Sequence, residues 1–420
     1  MFDAIKNLPY LEYKNKRLHL YNKMINAVLE NNNTPVFIYL NERFHNNALK
    51  LKNELKIHVP NLFIAYAVKA NYLGRILSDV KKIGLGLEVM SLFELKLAEK
   101  TGIPWENVIF NGPAKTEEEL EYALKNEIGY VNTDSMNELV LIEKLAMKNN
   151  RIQPITVRIH PLLNEETEKK LLIKKNSKLG IDYLRGIKLY EYAKKSKYLN
   201  PIGVHVHIGT NLTSHEFYDE LLEFLNNYIN NLENKQGISI SNINLGGGLA
   251  SNSSLDNQGF KISKLGKQIS SLLDNIQEKT IILEPGRYLI EDSFIAISKV
   301  LRTKKSWGRK WAFTDIGANS LIPMRYSYYK VIPENNKGKG QYTNLGGPLC
   351  LPVDVLTDES VDFEIEEKDL LIILNCGAYT LSMSEQFGYP RPAVFTLNKT
   401  GKMDLIRPAD DIEKMVNESF

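Results

Sequence analysis

The stretch Leu62-Phe63-Ile64-Ala65-Tyr66-Ala67-Val68-Lys69-Ala70 is apolar up to Val68 and then meets a lysine. It is too short for a long helix and lacks the alternation of a half-solvated strand, so it reads as a strand buried on both faces. Seven more runs of this kind follow: Gly86 to Met90, Val108 to Pro113, Tyr130 to Asp134, Ile155 to His160, Pro201 to Gly209, Ile243 to Gly248 and Thr280 to Gly286. Charged stretches with helical start signals separate them. In Thr116-Glu117-Glu118-Glu119-Leu120, Thr116 can cap and the acids favour a helix N-terminus. Eight alternations of strand and helix predict an α/β fold, a (β/α)8 barrel.

Beyond about Ser293 the texture changes to short β-like runs punctuated by Gly and Pro, such as Trp311 to Asp315, Leu370 to Leu374 and Ala393 to Leu397. The expected domains are a barrel over 41–292, a β domain over 293–420, and an N-terminal segment, 1–40. The extended run Val36 to Leu40 of that segment is expected to join the β domain. Asn335 to Gly340 reads as a flexible loop.

The chain has 420 residues, 43% apolar and 25% charged, enough to bury a large core. Its 53 basic and 50 acidic side chains are interspersed and leave a net charge of +3, which points to neither nucleic acid nor a membrane surface as partner. No apolar run nears the roughly 18 residues of a membrane span. Met1 to Tyr10 lacks a signal peptide's layout, so a cytoplasmic location is expected. Cys350 and Cys376 are too few for a disulfide framework and are expected as thiols.

A (β/α)8 enzyme keeps its site at the carboxyl ends of its strands. There Lys69 is out of place, because a lysine is seldom buried without a task. Desolvation would lower its pKa and make it a nucleophile towards an aldehyde; a plain surface lysine is the bland alternative. Gly246-Gly247-Gly248 after the seventh strand lets backbone amides approach a phosphate, and Arg287 after the eighth adds charge. Glu284 ends an apolar strand, where a lone carboxylate is costly, so it wants a cationic partner such as a protonated pyridine nitrogen; a structural pair with Arg287 or a lysine is the other reading.

His205 and His207, two apart, would share one face of the sixth strand. With His160 they could hold a metal, making the chain a metal-dependent hydrolase. The preferred reading, given Lys69 on the first strand, is that His207 stacks on a cofactor whose phosphate meets Gly209 and Thr210, with His205 in support.

In order and spacing these motifs, from about Thr34 to the end, resemble the fold-type III pyridoxal-phosphate (PLP) decarboxylases, the diaminopimelate and ornithine decarboxylase family. Tyr66-Ala67-Val68-Lys69-Ala70-Asn71 looks like the Schiff-base strand, and His207-Ile208-Gly209-Thr210 is similar to the family's His-x-Gly-Ser. The resemblance implies Lys69, Cys350, His207 and Glu284 as catalytic residues. It places PLP on Lys69, His207, Thr210, Gly246, Gly247, Gly248, Glu284, Gly286, Arg287 and Tyr379. It further implies a homodimer with shared active sites, in which Cys350 and Tyr379 serve the partner's site, and an amino-acid substrate that loses its α-carboxylate. A racemase on the same barrel is an alternative.

Where the family's acids follow the cysteine, this chain has Leu351 and Pro352 in Cys350-Leu351-Pro352-Val353-Asp354, and the family's Arg-Pro-x-Leu-Tyr is replaced by a segment holding Arg325. Arg287, Arg325, Leu351, Asp354 and Tyr379 are therefore the expected substrate contacts. Cys-x-Pro-x-Asp and Glu88 resemble offshoots that act on carrier-linked or citrate-conjugated amino acids. Ser177-Lys178-Leu179-Gly180 and Tyr389-Pro390-Arg391-Pro392 resemble diaminopimelate decarboxylase, which makes meso-diaminopimelate the alternative substrate.

Overall fold

The computed structural model describes residues 5–29, 32–171, 177–322 and 329–420. Two compact units emerge, the first built from Asn47–Ala250 and Ser254–Tyr288. Its strands are β1 (Leu62–Ala67), β2 (Gly86–Val89), β3 (Val108–Phe110), β4 (Tyr130–Thr133), β5 (Gln153–His160), β6 (Leu199–His205), β7 (Asn242–Asn244) and β8 (Thr280–Leu283). All pair in parallel with their sequence neighbours; β8 pairs with β1 through Leu283 and Ile64, which closes the barrel. Each of the eight apolar runs overlaps one of these strands, because parallel strands under a layer of helices have no solvated face to alternate towards.

Inside the barrel Ala65, Ile109, Tyr130 and Ile282 pack with Phe63 and Ile202. Gly86 makes room for this plug, since a Cβ there would lie 2.3 Å from the Phe63 ring. Polar caps fix the turns above the strands. Ser91, Thr116 and Ser135 each accept the N–H three residues on, and Glu119 returns the bond to the Thr116 N–H at 2.8 Å. Each such cap is worth about 1 kcal/mol, and together they hold the strand ends that carry the site.

The second unit gathers the rest of the described chain around a nine-stranded sheet. Val36–Tyr39 lies between Phe294–Ser306, antiparallel, and Ala393–Leu397, parallel. The short strands Arg17–Leu20 and Leu11–Lys14 add Leu18, Leu20 and Leu11 to a core with Ile38, Ile295, Ile297, Ile372 and Leu374. The Asn335 to Gly340 segment is tied down: Lys337 pairs with Glu366 and Asp369, and Asn335 bridges to Arg17.

Candidate active site

β1 stops at Ala67, and Val68–Ala70 form a 3-10 turn. The Asn71 N–H donates to the Val68 carbonyl and the Tyr66 hydroxyl to the Asn71 carbonyl, both at 3.0 Å. The turn lifts Lys69 off the strand, so 36% of its side chain stays exposed while Nζ forms an ion pair with Oε2 of Glu88 on β2. A counter-charge thus takes the place of the expected desolvation. Glu88 is 1% exposed, and its other oxygen accepts the Asn111 amide at 2.8 Å.

Where β1 meets the neighbouring β8, the Ala67 N–H donates to the Pro285 carbonyl, which brings Glu284 beside the lysine turn. Glu284 is buried and accepts from Asn244 at 2.7 Å and from Asn111 at 3.0 and 3.1 Å. Among the described residues no lysine or arginine forms an ion pair with it. Burial opposes its ionisation, while the Lys69 ammonium and the Asn244 amide favour the charged form. His205 lies with Nε2 3.5 Å from Glu284, and neither of its ring nitrogens makes a hydrogen bond. Its burial pushes the imidazolium down, so we take His205 as neutral and the hydrogen bonds to Glu284 as what keeps that carboxylate charged.

The two histidines do not share a strand face. The β6–β7 ladder ends with the Val206 N–H on the Asn244 carbonyl, so His205 closes the strand and His207 stands in the following loop. His207 exposes its ring at the barrel mouth, and its Nδ1 accepts the Gly247 N–H at 3.2 Å. The surrounding recess, with Arg158 and Lys69 nearby, pushes its pKa down to about 3. The ring is open to a stacking partner and crowded enough to stay neutral. His160 takes a different partner, the Pro161 carbonyl. Among the described residues no three His, Cys, Asp or Glu side chains gather as metal ligands, and the hydrolase alternative finds no support.

Gly246 and Gly248 adopt φ of +68° and +103°, where a side chain is strained. A Cβ on Gly248 would lie 2.4 Å from the Gly209 carbonyl, so the glycine loop and the Gly209-Thr210 loop meet backbone to backbone. Gly286 and Arg287 are buried at the start of the helix Arg287–Ile290.

In the second unit Cys350 is an exposed thiol, whereas Cys376 is buried and its thiol pKa is pushed up by that burial. Asp354, expected to touch substrate, is 4% exposed and turned inward: its two oxygens accept the Ala318 N–H at 2.6 Å and the Leu349 N–H at 2.7 Å. A Cβ on Gly317 or Gly347 would collide with that carboxylate, at 2.8 and 2.4 Å. Directly after the cysteine Leu351, Pro352 and Val353 all face outward. Tyr379 is half-buried at φ +64°, just before the short helix Thr380–Met383. Arg325 lies outside the described residues.

Comparison with known proteins decides the chemistry. Residues 43–291 match the family model of the pyridoxal-dependent decarboxylase pyridoxal-binding domain, and residues 218–377 that of the pyridoxal-dependent decarboxylase C-terminal sheet domain. The chain belongs to the pyridoxal-dependent decarboxylase family. Diaminopimelate decarboxylase of Aquifex aeolicus is 30% identical to this decarboxylase, over 98% of each chain. The L-glutamyl-[BtrI acyl-carrier protein] decarboxylase of Niallia circulans is 28% identical, over 92% of this chain and 95% of that one. The crystal structure of diaminopimelate decarboxylase from M. jannaschii superposes with a TM-score of 0.91 at 28% identity, over 98% of each chain.

The enzyme is a PLP-dependent amino-acid decarboxylase of the fold-type III class. The barrel mouth fits the cofactor. It offers a lysine at the end of β1, a buried ionised carboxylate at the end of β8, an exposed neutral imidazole past the end of β6, and a loop where a Cβ has no room. Among the described residues no helix is long and apolar enough to cross a membrane. Sequence reasoning named Glu88 only as a mark of subgroup and passed over Asn111; the signal was a polar residue within an apolar strand for Glu88 and just past one for Asn111.

Proposed function

We propose that this decarboxylase acts on an amino acid whose distal end carries no free ammonium, as in a conjugated amino acid. The observation that carries this reading is the inward Asp354: directly after Cys350 the chain turns Leu351, Pro352 and Val353 outward, and none of these three can pair with an ammonium. The full-length likeness to a relative named for a carrier-linked glutamyl substrate agrees with it.

In this reading Lys69 anchors the cofactor's carbonyl carbon, and Glu88 Oε2 stands ready to take the proton that Nζ must lose to act as a nucleophile. Glu284 faces the ring nitrogen, supported by Asn244 and Asn111. His207 stacks on the ring without adding positive charge, because its Nδ1 is committed to the Gly247 N–H. Gly246 to Gly248, Gly209, Thr210, Gly286 and Arg287 surround the phosphate, with Tyr379 from a partner subunit. Bound PLP supplies the sink for the electrons left when CO2 departs. Cys350 Sγ of a second copy returns the proton to Cα, which makes the homodimer the active unit. A cytoplasmic location belongs to the same reading, supported by two cysteines that stand as free thiols.

The alternative substrate is meso-diaminopimelate, favoured by the names of the A. aeolicus and M. jannaschii relatives. Measuring CO2 release from free, acylated and carrier-linked amino acids separates the two. Conjugated substrates are expected to lead; meso-diaminopimelate preferred by a wide margin would overturn the reading of Leu351 and Asp354.

A further inference from the structure

Asn111, at the end of β3, is 5% exposed and stands between the two buried acids of the barrel mouth. Its Nδ2 lies 2.8 Å from Glu88 Oε1 and 3.0 and 3.1 Å from the Glu284 oxygens. An amide nitrogen has two hydrogens, so one serves each carboxylate. Its Oδ1 accepts the amide of Asn132 on β4, whose own oxygen accepts the hydroxyl of Thr156 on β5. The string fixes the amide's orientation. Flipped, Asn111 would aim its oxygen at two carboxylates and its nitrogen at another NH2 group, so only one arrangement satisfies all five groups.

Two carboxylates within reach of one nitrogen repel each other strongly in a low-dielectric interior. Glu88 forms an ion pair with the Lys69 ammonium; Glu284 instead accepts hydrogen bonds from amides and has His205 Nε2 at 3.5 Å. Asn111 supplies one of the two amides on Glu284 and is the atom-to-atom link between that acid and the lysine pair. A string of buried polar groups contributes less to stability than apolar packing of the same volume, so its presence at the centre of the barrel calls for a use.

We infer that Asn111 is a positioning residue that joins the Lys69–Glu88 pair to Glu284 and holds the Glu284 carboxylate charged and aimed at the cofactor's ring nitrogen. This rests on the reading of Glu284 given above. A change of proton or partner at Lys69 then reaches Glu284 through one nitrogen.

The test is a binding cycle on enzyme stripped of cofactor, titrated by quenching of tryptophan fluorescence with PLP and with its 1-deaza analogue, in which carbon replaces the ring nitrogen. Asn111→Leu is expected to weaken PLP binding about 10- to 100-fold, the loss that goes with one or two hydrogen bonds to a charged group. For the deaza analogue, which gives Glu284 nothing to pair with, the loss is expected to stay under about 3-fold. Equal losses for both compounds, or none for either, would overturn the inference, since a damaged barrel weakens both alike. If Asn111→Leu does not fold by circular dichroism, Asn132→Ala, which frees the Asn111 amide to turn, carries the test with the same sign. Glu284→Gln is the control. If it too treats both compounds alike, the reading of Glu284 fails and the inference with it; if it discriminates and the Asn111 variant does not, the inference alone fails.

Discussion

The backbone N–H of Gly247 donates to Nδ1 of His207 at 3.2 Å, which leaves the ring's only proton on Nε2. With its pKa pushed down to about 3, the ring is neutral throughout the working range. Nitrogen-15 NMR of histidine-labelled enzyme should therefore show one ring held as the Nε2–H tautomer from pH 5 to 8. A His207 titration midpoint inside that range would contradict the assignment.

The same shift sets the pH dependence of stability. His205 and His207 bind protons less readily folded than unfolded, so their contribution is complete above about pH 6.5, the value in the unfolded chain. It is lost as the pH falls below that value, for His207 towards about 3. Thermal melts of the stripped enzyme should show Tm dropping from pH 7 to pH 4, and His207→Phe should make that drop shallower. An unchanged slope in the variant would assign the acid sensitivity to other groups.

Lys69→Met removes the ammonium from beside a carboxylate that is 1% exposed. Leaving a fully buried charge unpaired costs about 3–5 kcal/mol. Because Lys69 keeps a third of its surface, solvent screens the pair, and a loss of about 1–2 kcal/mol in the stripped enzyme is expected from urea unfolding. Restoring stability with the double variant Lys69→Met, Glu88→Gln would show that the unpaired acid is the cause.

Asp354 braces two loops through the Ala318 and Leu349 N–H groups, one residue short of Cys350. Asp354→Ala deletes both bonds and should destabilise the fold by about 1–3 kcal/mol. Alkylation of Cys350 by iodoacetamide should change rate several-fold as its loop loosens, while buried Cys376 stays unreactive. An unaltered Cys350 rate in a folded variant would mean that the brace does not govern the thiol.

Much of the barrel was legible because its strands are buried on both faces and read as unbroken apolar runs. Their ends were less so. Lys69 sits in a turn stabilised by Tyr66 and Asn71, and His207 in a loop past the last rung of its ladder; neither break interrupts the hydrophobic pattern. Asp354, an expected substrate contact, lies inward on the Ala318 and Leu349 N–H groups. What turns it inward is the approach of Gly317 and Gly347, a contact that no local pattern announces. Asn111 matters through three partners, Glu88, Asn132 and Glu284, so its weight shows only once the strands are side by side.

The account turns on Lys69. Borohydride reduction of the PLP-loaded enzyme, followed by peptide mapping, should place the pyridoxyl label on the peptide containing Tyr66-Ala67-Val68-Lys69, and Lys69→Ala should take up none. Label on another lysine, or visible cofactor absorbance retained in Lys69→Ala, would contradict it.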